Sequence, residues 1–168
     1  MFDLLNRFRR DESGIAVTEL AVVTPIFLLM FLSTIELGHM IYYSITVEKA
    51  LRSAVTYAGR ITVLDAAAIE ATQNIVRTGE PSGTDPYLVP GWADSGASVI
   101  FSTHQYAGSL SGGSTKDFTE TVISVTADVP YVPVVGVLIP ALEYLMKSSF
   151  KHGSLYITLT HEQAIIGN

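Results

Sequence analysis

Residues 20–35 read LAVVTPIFLLMFLSTI, an apolar run without a charged side chain, and this run decides the architecture. Residues 37–43 extend it, and neither Lys nor Arg occurs between Arg10 and Lys49. A helix rises about 1.5 Å per residue, so about 20 apolar residues cross the ~30 Å hydrocarbon core of a bilayer. The run therefore predicts a transmembrane helix over residues 15–43. A buried helix in a soluble protein is disfavoured, because the run is longer than ordinary core helices.

The composition of the whole chain narrows the classes of function. Hydrophobic residues make up 48% of the 168 residues and charged residues 15%, which excludes an intrinsically disordered chain. A net charge of −6 argues against a nucleic-acid-binding surface, which is normally basic. The chain has no cysteine, so disulfides, thiol catalysis and cysteine-based metal centres are excluded.

Motifs that carry chemistry are missing from the sequence. It contains no P-loop, dinucleotide-binding, serine-hydrolase or zinc-protease motif. The four histidines, His39, His104, His152 and His161, lack the spacing of metal ligands. We therefore expect no enzyme, no cofactor and no metal, and a membrane-tethered enzyme is the least favoured of the hypotheses for this chain.

The residues around the start of the apolar run indicate a retained segment. No A-x-A cleavage pattern of a secretory signal follows Ile35. Basic residues flank the run on both sides, so counting charges gives no orientation. Glu19 requires an explanation, since a carboxylate at mid-bilayer costs about 2.5–3.5 kcal/mol. Taken alone, it is explained by the helix N-terminus, which stabilises negative charge.

Residues 14–43, GIAVTELAVVTPIFLLMFLSTIELGHMIYY, resemble the TadE-like family, the minor pseudopilins of tight-adherence (Tad, or Flp) pilus systems. The positions that carry the resemblance are Gly14, Ile15, Glu19, Pro25, Glu36 and Gly38. One departure is Leu20, where Tad-class pilins often have an aromatic residue.

The resemblance implies how the chain is processed and where it resides. A prepilin peptidase would remove residues 1–14 as a leader, cutting between Gly14 and Ile15 on the cytoplasmic face. Glu19 would then neutralise the new α-ammonium of a neighbouring subunit, as buried opposite charges require. The protein would be a single-pass inner-membrane protein with a cytoplasmic N-terminus and an extracytoplasmic pilin-like domain over residues 44–168.

The implied partners are the prepilin peptidase, other pilins and minor pseudopilins, the inner-membrane assembly platform and the lipid bilayer. The implied function is assembly of an adhesive pilus. The alternative hypothesis is an uncleaved single-pass membrane anchor with an extracytoplasmic binding domain.

Within the apolar run, three residues have two interpretations. Pro25 is either a proline tolerated by a membrane helix or a bend or melting point in the stem. Glu36 and His39 lie three residues apart and share a helix face. We interpret this pair as marking the extracytoplasmic interface, in preference to a metal or proton site.

Beyond the membrane, the pattern predicts an α+β domain. The stem helix continues to Gly59, which ends or bends it. A capping box at Thr62–Asp65 predicts a second helix that stops at Gly79. The segment 80–96 reads as a loop in which Trp92 is an anchor.

Alternating apolar residues predict three antiparallel strands. They cover residues 97–106, 123–129 and 155–160, and a hairpin connection covers residues 107–117. The second helix and the stem would pack on one face of this small sheet. Residues 129–146 are apolar but hold three prolines, and they are either a buried crossover with a short helix near 141–147 or an exposed surface for a subunit or the membrane.

Overall fold

The computed structural model describes residues 12–61, 64–110, 116–136, 150–151 and 154–165. The predicted leader up to residue 11 and the predicted helix at 141–147 lie outside these ranges. The helices are α1 (Glu12–Ala58), α2 (Ala66–Thr78) and a short 3-10 helix (Pro90–Ala93). The strands are β1 (Ser98–Leu110), β2 (Lys116–Pro130), β3 (Phe150–Lys151) and β4 (Ser154–Ala164).

Helix α1 joins the predicted membrane span and the stem in one continuous element of 47 residues. At about 1.5 Å per residue it extends about 70 Å. Its stretch from Ala16 to Ala58 is long and apolar enough to cross a membrane. The helix ends where predicted, because Gly59 follows its last residue and donates its N–H to the carbonyl of Val55 at 2.8 Å.

Helix α2 ends at Gly79 as predicted, but it begins differently. Gly79 adopts the left-handed conformation with φ of 87° and donates its N–H to the carbonyl of Ile75. At the other end, Asp65 is itself the N-cap, and its side chain accepts the N–H of Ala68. The predicted capping box, with Asp65 three residues inside the helix, is wrong. Asp is one of the preferred N-cap residues. At the third helical position its side chain is shorter than the Glu or Gln side chain that a capping box uses.

The sheet has the order β1-β2-β4-β3, and all its pairs are antiparallel. The three predicted strands are present, with two-residue β3 added at the edge. The predicted hairpin connection is too long, because β1 continues to Leu110 and β2 starts at Lys116, its direct partner. Serine and glycine residues in this part of the hairpin give no alternation of apolar and polar side chains, so the sequence does not predict a strand there. The strands continue through backbone pairing.

The core lies between the two helices and the sheet, which confirms the α+β fold class. Helix α1 contributes Tyr43, Val47, Leu51 and Val55, and β2 contributes every second residue from Ile123 to Val129. Trp92 in the 3-10 helix is buried in the same core, so its predicted role as a loop anchor is confirmed. The sheet therefore rests on the C-terminal half of α1, and the N-terminal half extends beyond it.

Two contacts fix how β2 runs along α1. Gln163, which pairs with Ile123 of β2, contacts Thr56 near the end of α1. At the C-terminal end of β2, the carbonyl of Pro130 accepts the hydroxyl of Tyr43. Strand β2 therefore runs antiparallel to α1, back toward its apolar half. This direction brings the chain after Pro130 to the junction between stem and domain.

Candidate functional site

The N-terminal half of α1 is uncovered on all sides. Ten large apolar side chains between Val17 and Phe31 are 37–68% exposed. They are Val17, Leu20, Val22, Val23, Ile26, Phe27, Leu28, Leu29, Met30 and Phe31. A soluble monomer does not normally expose so large a continuous apolar surface. Lipid or another protein must therefore cover this part of α1.

Three hydroxyl groups in and directly after this apolar surface are satisfied by the helix itself. Thr24, Ser33 and Thr34 each donate to the carbonyl four residues earlier, at 2.6–2.9 Å. An unsatisfied donor is costly in a hydrocarbon environment, and this back-bonding removes the cost. These three hydroxyl groups therefore do not oppose contact between the uncovered half of α1 and lipid.

The predicted site residues Gly14, Ile15 and Glu19 all lie in the first turns of α1. Gly14 and Ile15 lie in the first turn of the helix, and a Cβ added at Gly14 would meet nothing within 4 Å. Glu19 is exposed, and it forms no ion pair with any residue that the structure describes. Helix α1 continues through Pro25 without ending, and the interpretations of that proline stay predictions.

Glu36 has the opposite environment, because it is only 1% exposed. One carboxylate oxygen accepts the hydroxyl of Tyr131 at 2.5 Å and the N–H of Val134 at 3.3 Å. The other accepts the N–H of Val135 at 2.7 Å and of Gly136 at 3.3 Å. Three successive N–H groups thus converge on one anion, as in backbone nests. Gly136 has φ of +68°, a conformation that glycine adopts without strain.

Tyr131 links the carboxylate to two further aromatic residues on α1. Its single hydroxyl proton goes to Glu36, so its oxygen accepts from Nδ1 of His39 at 2.9 Å. The ring of Tyr131 lies 5.6 Å from that of His39 and 5.4 Å from that of Tyr43. Burial, followed by the hydrogen bond to Glu36, raises the pKa of the Tyr131 hydroxyl.

Tyr43 binds the domain at the next turn of the helix. Its hydroxyl donates to the carbonyl of Pro130 at 2.8 Å and accepts the N–H of Gly91 at 2.9 Å. A Cβ at Gly91 would collide with both of these oxygens, so only glycine fits this position. Glu36, His39 and Tyr43 thus form one polar seam along α1, which we call the junction seam.

The described residues contain no group of three or more His, Asp or Glu side chains placed to hold a metal ion. The junction seam has one carboxylate, and its hydrogen bonds use both oxygens. Its chemistry is therefore that of a structural anchor that fixes a loop to a helix.

A comparison with protein families identifies the first part of the chain. Residues 14–56 match the family model described as TadE-like protein. The resemblance seen in the sequence is confirmed for this segment, and it indicates a protein associated with a Tad pilus. Comparisons with curated proteins and with solved structures find no match.

The TadE-like segment covers the uncovered apolar half of α1 and most of the rest of that helix. It begins at Gly14 and includes every position that carried the resemblance, from Gly14 to Gly38. It ends at residue 56, before α2 and the sheet. The loop that binds Glu36 therefore lies outside the TadE-like segment.

Sequence reasoning missed the partners of Glu36. The acidic residue itself stood out in the apolar run, but Tyr131 lies 95 residues later and the N–H donors lie 98–100 residues later. The one available signal was the apolar, proline- and glycine-containing segment 129–146, which the sequence left with two interpretations. Val132, Pro133 and Val134 are exposed, which favours the exposed surface at these positions.

Proposed function

We propose that this chain is a minor pseudopilin that takes part in assembly of a tight-adherence (Flp-type) pilus. A prepilin peptidase cuts it between Gly14 and Ile15, and the mature protein keeps α1 as its membrane anchor and stem. The observation that carries the proposal is the TadE-like match, which starts at Gly14 and follows the uncovered half of α1.

The position of Gly14 supports processing. Glycine in a helix is less stable than alanine by roughly 0.5–1 kcal/mol, so its use normally has a reason. Nothing within 4 Å would oppose a Cβ at Gly14, so packing inside the chain gives no reason. Recognition by a peptidase that requires glycine before the cut supplies one.

Glu19 supports assembly through charge. It is exposed within an apolar surface, four residues after the proposed new N-terminus at Ile15. An α-ammonium created at Ile15 of one subunit pairs with Glu19 of its neighbour when the two helices pack side by side. The pair offsets the cost of placing either charge in a low-dielectric environment and fixes the axial register of the subunits.

The uncovered face of the stem beyond the membrane supports a protein partner. Leu37, Ile41 and Ile45 are 44–60% exposed, and they follow one another at four-residue spacing. They lie on the side of α1 away from the junction seam. Gly38 lies on this same side, and a Cβ there would meet nothing within 4 Å. Small residues allow another helix to approach closely.

The proposal includes a location and a set of partners. The protein is a single-pass protein of the bacterial inner membrane, with a cytoplasmic N-terminus and an extracytoplasmic domain. Its partners are the prepilin peptidase, other pilins and minor pseudopilins, the assembly platform and the lipid bilayer. Its role is assembly, without catalysis, a metal or nucleic acid.

Substitution of Glu19 tests the assembly role. Cells that lack the chromosomal gene receive wild type, Glu19→Leu or the control Glu48→Leu, which alters an exposed carboxylate higher on the same helix. We expect all three proteins in the membrane fraction, and a loss of at least tenfold in sheared surface pili for Glu19→Leu alone. Wild-type piliation with Glu19→Leu would overturn the assembly role and favour a simple membrane anchor.

A further inference from the structure

We propose that the loop of residues 131–136, YVPVVG, docks on the lipid bilayer beside α1 and inserts Val132 and Val134 into its outer interface. We call this segment the docking loop. The occupant of its exposed surface is the membrane that α1 crosses. The inference requires that α1 spans a bilayer, and it is independent of any role in a pilus.

The docking loop lies at the level where the hydrocarbon core should end. A core of about 30 Å is crossed by about 20 helical residues. A span that starts at Ala16 ends at Ile35, and one that starts after Glu19 ends at His39. Glu36 lies within about one helical turn of either boundary, and it holds the docking loop directly.

The side chains of the docking loop continue the apolar surface of α1. Val132 is 42% exposed and Val134 is 62% exposed, and Pro133 between them is also exposed. None of the six residues carries a charge. On α1, the neighbours of Glu36 are Ile35 and Leu37, which are 41% and 48% exposed. Helix and loop therefore both expose uncharged apolar side chains at the same height.

Most backbone N–H groups of the docking loop form hydrogen bonds within the protein, as a low-dielectric environment requires. Irregular backbone at membrane depth requires that its N–H groups be satisfied within the protein. Five of the six residues have an N–H, because Pro133 has none. Tyr131 donates its N–H to Leu155, and the N–H groups of residues 134, 135 and 136 go to Glu36. At least four of the five donors are therefore bonded without water.

The same bonds explain why a carboxylate is tolerated at this depth. A charged group near hydrocarbon is expensive unless it is paired or hydrogen-bonded. The carboxylate of Glu36 accepts four hydrogen bonds, and the protein shields it almost completely. These bonds satisfy the carboxylate of Glu36 and the N–H groups of the docking loop together. Only valine and proline side chains of the loop remain exposed.

The absence of cysteine from the chain allows a direct test by single-site labelling. Val134→Cys is labelled with a polarity-sensitive fluorophore in the full chain, reconstituted at low protein-to-lipid ratio in phosphatidylcholine vesicles. The control is Tyr106→Cys, where the native residue is similarly exposed at 56%. Tyr106 pairs with Glu120, ten residues or about 33 Å along β2 from Pro130.

We expect the label at position 134 to emit at shorter wavelength than the label at 106, and to be quenched at least threefold more by lipids spin-labelled near the headgroup. Equal emission and equal quenching at both positions would overturn the proposal. A blue shift at 134 that spin-labelled lipids do not quench, and that grows with protein density, would also overturn it, because a second protein copy would then cover the loop.

A second variant tests whether Glu36 sets the position of the docking loop. Glu36→Gln in the Val134→Cys background replaces one acceptor oxygen with an amide NH2 group. This group is a donor that faces the N–H donors of the docking loop, so it cannot accept their hydrogen bonds. We expect lipid quenching at position 134 to fall by at least half, while the circular dichroism of the domain is kept. Unchanged quenching would show that the hydrogen bonds of Glu36 do not hold the docking loop at the membrane.

Discussion

The hydroxyl of Tyr131 donates to the carboxylate of Glu36 across 2.5 Å, and 95 residues of chain separate the two. The bond joins the end of β2 to the stem helix at the predicted edge of the membrane. Together with the bonds from Tyr43 to Pro130 and from Gly91 to Tyr43, it fixes the domain on α1. The domain therefore cannot swing freely about the stem, and the uncovered face of α1 has a fixed orientation.

Tyr131→Phe removes this bond while it keeps the aromatic ring. A hydrogen bond to a charged group contributes about 1.5–3 kcal/mol, so we expect the free energy of unfolding to fall by about that amount. Urea unfolding of the full chain in detergent measures it. Tyr106→Phe is the control, because Tyr106 is 56% exposed, and its unfolding free energy should stay within about 0.5 kcal/mol of wild type.

Alkaline pH should weaken the domain through the same tyrosine. Burial raises the pKa of Tyr131 in the folded state, whereas an unfolded tyrosine titrates near ~10. The stabilisation is therefore fully present below about pH 10, and it is lost as the pH rises and the unfolded chain ionises. We expect a loss of up to about 1.4 kcal/mol per pH unit from this residue.

Comparison with Tyr131→Phe isolates that contribution. The difference in unfolding free energy between wild type and the variant should be constant from pH 7 to 9 and should shrink above pH 10. A difference that stays constant to pH 11 would show that Tyr131 ionises equally in both states.

Gly91→Ala should disrupt the two hydrogen bonds of the Tyr43 hydroxyl. The added Cβ would collide with the carbonyl oxygen of Pro130 and the hydroxyl oxygen of Tyr43. Overpacking of this kind costs about 1–3 kcal/mol, and lost hydrogen bonds add to it. Thermal unfolding in detergent measures the loss. Gly38→Ala is the matched control, since it has open space in α1 and should be neutral or stabilising by up to about 1 kcal/mol.

Gly14→Ala separates recognition by a peptidase from folding. The Cβ has open space, and alanine favours the helix, so the fold and membrane insertion should be unchanged. In cells with an active prepilin peptidase we expect the variant to remain at its unprocessed mass while wild type and Gly38→Ala are processed. Normal processing of the alanine variant would remove the requirement for glycine.

Local patterns predicted the elements of this fold well where one physical signal dominates. The apolar run predicted α1, and Gly59 and Gly79 predicted two helix ends, because each signal acts within a few residues. Asp65 shows the limit of such reasoning. Thr62 and Asp65 can both accept helix N–H groups, and the pattern placed the N-cap at Thr62, whereas the side chain of Asp65 caps α2.

The junction seam could not be predicted from the sequence, because its bonds join positions 48–100 residues apart. The TadE-like resemblance marked Glu36, and the polar contrast with the apolar run made it conspicuous. Its partners are a tyrosine and three backbone N–H groups, and backbone groups leave no trace in a sequence. These partners could be found only once the direction in which β2 packs along α1 was known.

The strands show a similar limit at the far end of the sheet. Alternation predicted the middle of β2, whose inward residues from Ile123 to Val129 are buried. It did not predict the ladder from Ala107 to Leu110, where serine and glycine give no alternation. There the backbone pairing extends the hairpin beyond the hydrophobic pattern.

The central claim is that this protein is a processed pseudopilin, and its mature N-terminus tests that claim most directly. The protein is purified from native membranes of cells with an active prepilin peptidase, and its N-terminus is determined by intact mass and terminal sequencing. The account predicts a chain that starts at Ile15. A chain that starts at Met1 would contradict it and leave an uncleaved membrane anchor, in which Glu19 has no α-ammonium to pair with.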